Sequence, residues 1–211
     1  MIDRKHLKSL ISDTEKELEN KGKADVSRII KEHDLAHTFS EELLIKKMSA
    51  QVDTAIHAYG ILLTLQKVLE DDEEIISLSL GAGNTGKSFD VVTTHRIAEF
   101  KFAIWSEKNN TLRQNSIVKD FIGLAEKECG ECKKRYIYCV DAKKVEDFLE
   151  TSNRSLESVF SRNSKNKKYE KYLDSFGTVK TVKDLYKHFK GKVEFISLED
   201  YLDFSVLYES T

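Results

Sequence analysis

A chain of 211 residues is long enough for one good-sized domain with a small appendage. With 40% apolar and 33% charged residues and a net charge of −2, it reads as a folded globular chain that is neither disordered nor basic enough to bind nucleic acid by overall charge. Its apolar runs are only a few residues long, so no membrane partner is expected, and the opening Met1-Ile-Asp-Arg-Lys-His6 lacks the apolar stretch of a secretory signal.

Residues 1–38 read as a charged helical extension. Leu7, Leu10, Ile11, Thr14 and Leu18 share one helical face, Asn20-Lys-Gly22 ends the run, and Val26, Ile29 and Ile30 mark a second short helix. Such an extension packs on the core or mediates contacts between copies, which leaves a homodimer open. Residues 39–211 form the main domain. Ser40-Glu-Glu caps a longer helix running to about Glu70, with carboxylates in its first turn where the helix dipole favours them. Ile45, Met48, Val52, Ile56, Tyr59 and Leu63 recur at helical spacing and predict its core stripe. His57, next to that stripe, reads as a packed or partly exposed histidine rather than a catalyst.

Ile75 to Leu80 predicts a strand that leads into Gly81-Ala-Gly-Asn-Thr-Gly-Lys-Ser88, a full match to the P-loop pattern G-x4-G-K-S. A P-loop needs a helix that starts at its lysine and points backbone N–H groups at phosphate. Here Phe-Asp-Val-Val-Thr-Thr follows, and four β-branched residues in two turns open a helix poorly. The glycines therefore read as a connector between strands. Nucleotide binding through Lys87 and Ser88, with Asp141 as a magnesium ligand, stands as the rival reading.

Phe89, Val91 and Val92 begin a short strand, and Ile97 to Trp105 form the next, with Thr94-His95 at a turn that lacks the usual Gly or Asn. Alternation puts Ile97, Glu99, Lys101 and Ala103 on one face of the second strand and Ala98, Phe100, Phe102 and Ile104 on the other. A carboxylate and an ammonium two residues apart on an apolar strand are costly to bury without a task. With the two strands side by side, Asp90 joins them.

The spacing Asp90-x8-Glu99-x-Lys101 resembles the PD-(D/E)XK nuclease superfamily over about residues 75 to 141, although Phe89 precedes Asp90 where the pattern has proline. The resemblance implies a restriction-endonuclease-like α/β fold with a central mixed sheet flanked by helices. It implies that Asp90 and Glu99, with the Phe100 carbonyl, hold Mg²⁺ or Mn²⁺, whose preference for hard oxygen donors suits them. Lys101 would then be the catalytic lysine. The helix before the hairpin often adds an acidic residue in this family; Glu42 and Glu70 are the acids available here, neither of them aligned to that role.

Thr111 to Ala125 predicts a helix with Leu112, Ile117, Phe121 and Leu124 as its apolar side. In the nuclease family this helix often brings Gln, Arg or Lys near the scissile phosphate. The resemblance therefore implies Gln114 as a catalytic residue, with Arg113 and Lys119 binding substrate. Some subfamilies carry Tyr four residues after the Gln, where this chain has Val118.

Cys129, Cys132 and Cys139 fit a reducing compartment, and a cytoplasmic location is expected. Cys129-Gly-Glu-Cys132 has the spacing of half a zinc site, but no second ligand pair follows, so a solvent-side turn is expected. Lys134 to Val140 is apolar on both faces and predicts a central strand, with Asp141 capping a helix from Lys143 to Thr151. About residues 154–193 form a basic embellishment; 161–193 holds ten Lys or Arg against three Asp or Glu. Lys165, Lys167 and Lys168 would contact phosphates. Tyr169, Tyr172, Phe176, Tyr186 and Phe189 either stack on bases or face the core. A strand from Val193 to Leu198 and a short helix from Glu199 to Val206 close the chain. The expected activity is metal-dependent hydrolysis of nucleic acid, DNA in preference to RNA. The alternatives are the P-loop nucleotide-binding protein and a non-catalytic binding protein on a nuclease-like scaffold.

Overall fold

The computed structural model describes residues 28, 31–32, 35–81, 87–105, 111–127, 133–160, 177 and 179–205. The first predicted helix, the Cys129–Cys132 turn, most of the glycine-rich stretch and the loop bearing Lys165, Lys167 and Lys168 lie outside them. The chain divides into two compact units, Met1–Asp53 and Thr54–Thr211. In the first, the described residues are helical, and Arg28 pairs with Glu32 one turn on at 2.6 Å.

The second unit is α/β, built on one five-stranded mixed sheet. Its strands are β1 (Ile75–Leu78), β2 (Val91–Thr93), β3 (Arg96–Lys101), β4 (Lys134–Cys139) and β5 (Glu194–Ser197), in that spatial order. β1, β2 and β3 run antiparallel as a meander, whereas β3, β4 and β5 are parallel. Helix α1 (Leu35–Val68) precedes the meander, and α2 (Thr111–Ala125) is the crossover between β3 and β4. Helices α3 (Ala142–Thr151), α4 (Leu156–Phe160) and α5 (Val182–His188) join β4 to β5. The expected order of helix, three strands, helix and central strand is therefore present.

Side-chain alternation along β3 separates two cores, as the sequence predicted. Ile97 joins Phe121, Ile122, Ile137, Leu149, Leu156 and Leu185 beneath α2 to α5. Ala98 and Phe100 join Ile61, Leu65, Tyr138 and Leu198 on the opposite face. The Thr93–Arg96 turn manages without Gly or Asn because the Thr93 hydroxyl accepts the N–H groups of His95 and Arg96, at 3.1 and 2.9 Å.

Several expectations need correction. Helix α1 begins at Leu35, so Ser40 lies inside it and is no cap. Its predicted core stripe is the wrong face: Val52, Ile56, Tyr59 and Leu63 are exposed, while Gly60, Ile61, Thr64 and Leu65 are buried. The segment from Ile56 to Leu65 is apolar nearly all round, so periodicity alone did not select the sheet-facing side. Leu112, placed on the buried side of α2, is 72% exposed. Strand β3 stops at Lys101, short of Trp105. Tyr186 and Phe189 are core residues, not a stacking surface. The C-terminal helix is a single 3-10 turn, Leu198–Asp200. Asp141 does stand at the start of α3, but in the left-handed region (φ 59°) and without a side-chain cap bond. Its carboxylate instead accepts from the Trp105 N–H at 3.3 Å and pairs with Lys144 at 2.7 Å.

Candidate active site

Asp90, Glu99 and Lys101 converge at the carboxyl end of β3, where an antiparallel neighbour on one side meets a parallel neighbour on the other. Crevices outside the carboxyl ends of strands at such a change of direction are the usual ligand sites of open α/β sheets. Asp90 lies in the bend that enters β2. One carboxylate oxygen accepts the Phe100 N–H at 2.9 Å, and the other faces His57 Nε2 at 3.3 Å. Pairing of β2 with β3 ends at Ala98, so the Asp90 side chain takes the place of a strand partner at Phe100. The N–H and C=O of one strand residue point to the same edge, which puts the Phe100 carbonyl on the side of Asp90.

His57 reaches this point because α1 comes in close. Gly60 lies directly against the Phe102 ring, where a Cβ would collide with it, and the His57 ring meets Phe102 edge-on at 5.7 Å. His57 is packed and partly exposed, as expected, and its ring also meets Asp90.

Lys101 Nζ lies 3.3 Å from Glu99 Oε2 and 3.0 Å from Asp120 Oδ2. Asp120 comes from α2 and also accepts the Ser116 hydroxyl at 3.1 Å. It was absent from the sequence-based set, although its helix was placed correctly. Burial, aided by the charges of Asp120 and Asp90 and a hydrogen bond to Asp90, pushes the Glu99 carboxyl up to about 8. Burial works against the charge of Asp90 too, but the bonds from His57 and Phe100 and the charge of Lys101 outweigh it and lower its pKa. For Lys101 burial opposes the charge, and Asp120 and Glu99 overcome it, so the ammonium is held more firmly than usual.

The donor set suits a hard divalent cation. Two carboxylates and a backbone carbonyl are oxygen donors, and the repulsion from Asp120 and Asp90 that adds to burial in raising Glu99 is what such a cation would relieve.

The remaining predicted residues are placed as follows. Gln114 is committed elsewhere: Arg154 donates to its side-chain oxygen at 2.6 Å and to that of Asn115 at 2.7 Å. Arg113 lies on the same stripe of α2 as Ser116 and Asp120, and its guanidinium donates to the Ile104 carbonyl at 3.1 Å. Lys119, half-buried, follows the next face of the helix. Glu70 lies at the other end of β3, away from Asp90, and the side chain of Glu42 is outside the described residues. After Ser88 the chain bends and enters β2, so no helix starts at Lys87, whose ammonium donates to the Leu78 carbonyl.

The amino-terminal end of β3 is a second polar corner. Arg96 Nε donates to the buried Glu73 at 2.6 Å, and Nη1 donates to the Tyr138 hydroxyl at 3.2 Å. Beside it, Glu70, Asp72 and His95 each bring a ligand atom to within 4.8 Å of the others on the surface. Arg96 lies 3.6 Å from Glu70 and competes with any cation there. A cavity of about 230 Å³ adjoins this corner, lined among others by Lys67, Arg96, Tyr136, Tyr138 and Tyr201.

Comparison of the chain with family models, curated proteins and solved structures found no match in any of the three. Among the described residues, no helix is long and apolar enough to cross a membrane.

Proposed function

We propose that this protein is a metal-dependent nuclease of the PD-(D/E)XK type, with a restriction-endonuclease-like core, hydrolysing phosphodiester bonds in DNA. The observation that carries the reading is the meeting of Asp90, Glu99 and Lys101 at the carboxyl end of β3, with Asp90 bonded to the Phe100 N–H. Asp90, Glu99 and the Phe100 carbonyl are the residues to hold Mg²⁺ or Mn²⁺. When bound, the cation lowers the pKa of water and neutralises charge on the phosphate.

The chain's own groups account for the rest of the chemistry. Lys101 offers a fixed positive charge where negative charge builds on the phosphate oxygens as water attacks phosphorus and the ester oxygen leaves. His57 and the Phe100 N–H keep Asp90 ionised and oriented. Arg113, further along the Asp120 stripe of α2, is available to a neighbouring phosphate in exchange for the Ile104 carbonyl. Gln114 has no part in this scheme while Arg154 holds it.

Purified protein incubated with plasmid and single-stranded DNA in Mg²⁺ or Mn²⁺ tests the proposal. Cleavage that is lost in Lys101→Ala and kept in Lys87→Ala is the expected result. Nucleoside triphosphate hydrolysis that is lost in Lys87→Ala and kept in Lys101→Ala would support the nucleotide-binding alternative. Absence of cleavage by the wild type with either metal would favour the binding scaffold.

A further inference from the structure

We propose that Asp120 is a positioning residue that draws the Lys101 ammonium off Glu99, leaving the Asp90–Glu99 pair free to bind one divalent cation. The inference rests on the metal reading above and assigns a role to a residue on a separate element. Glu99 and Lys101 point from the same face of β3 toward α2. The ammonium sits between two carboxylates there, 3.3 Å from Glu99 and 3.0 Å from Asp120. The Ser116 hydroxyl, one helical turn before Asp120, donates to the same oxygen that meets Lys101 and fixes its direction.

Charge balance gives this contact its purpose. The site holds three carboxylates and one ammonium. Were Lys101 balanced by Glu99 alone, the cation would meet a spent ligand and a positive neighbour a few ångströms away. With Asp120 taking up the ammonium, Asp90 and Glu99 in their ionised forms together match the double charge of Mg²⁺ or Mn²⁺. Asp120 thus acts on the metal through Lys101, and residues that act one layer out from a metal typically change its affinity by about 10–100-fold.

Calorimetric titration of the full chain with Mn²⁺ tests this without any substrate, using wild type, Asp120→Asn, Lys101→Met and the double variant. Asp120→Asn should weaken Mn²⁺ about tenfold, and removing Lys101 as well should restore affinity to within about threefold of wild type. Asp120→Ser, which keeps a polar group beside Ser116, gives the same readout if the Asn variant does not fold. Wild-type affinity in Asp120→Asn would overturn the inference and leave a purely structural contact. A double variant as weak as Asp120→Asn would overturn it by making Asp120 a direct ligand. A wild-type protein that takes up no Mn²⁺ would instead sink the metal reading on which the inference stands.

Discussion

Glu99 is the residue at which the site meets solution conditions. Its carboxyl is pushed from the ordinary 4.5 to about 8 by burial and by neighbouring Asp120 and Asp90. The folded state then holds a proton that the unfolded state releases. Stability is therefore highest at low pH and falls as pH rises from about 4.5 through 8. The slope from one such group is at most about 1.4 kcal/mol per pH unit. Melting of the metal-free protein between pH 5.5 and 8.5 should show this fall, and Glu99→Gln should remove much of it. Equal slopes in both proteins would contradict the assignment. Glu73 shows the opposite sign. Burial opposes its charge, but Arg96 and Thr93 overcome it and hold its pKa low, so its contribution is present above the ordinary carboxyl pKa and lost as pH falls. The Glu73 side chain is wholly buried against Arg96, and Glu73→Gln leaves that guanidinium with only the more distant, exposed Glu70 carboxylate. A loss of about 3–5 kcal/mol in urea denaturation is expected.

At the scale of elements, α1 has two apolar faces and the structure assigns only one of them to the sheet. Ile61 is fully buried, whereas Tyr59 is 66% exposed. Ile61→Ala should cost about 2–5 kcal/mol, and Tyr59→Ala should stay within about 0.5 kcal/mol. The reverse order would mean that the helix is turned the other way. This is also where sequence reading met its limit. Period-2 alternation separated Glu99 and Lys101 from Phe100 cleanly, because β3 alternates between two different environments. Helical periodicity failed on α1 because Ile56, Tyr59 and Leu63 form as regular a stripe as the buried residues do. The approach of Asp120 and His57 to the site was not legible for another reason. Each sits on an expected helix, but only the docking of that helix brings it to β3, through Lys101 for Asp120 and through Gly60 against Phe102 for His57. Asp141 stands in the αL conformation with its carboxylate bonded to the Trp105 N–H, a contact 36 residues away in sequence.

Across the whole molecule, β3 separates two charged corners. Its carboxyl end gathers Asp90, Glu99, Lys101 and Asp120; its amino end gathers Glu73, Arg96 and the surface trio Glu70, Asp72 and His95. Six residues of strand put the two ends roughly 16 Å apart. At the first corner two largely buried carboxylates, Asp90 and Glu99, lie beside a lysine and beside Phe100, whose N–H is taken by a side chain rather than by a strand. In the second, Arg96 already supplies the positive charge. That difference predicts where a metal goes. The most direct test is to soak crystals in Mn²⁺ and measure anomalous scattering at the manganese edge. A peak is expected between Asp90, Glu99 and the Phe100 carbonyl, with oxygen distances near those of a hard divalent ion. A peak at Glu70, Asp72 and His95 instead, or none at the carboxyl end of β3, would contradict that placement.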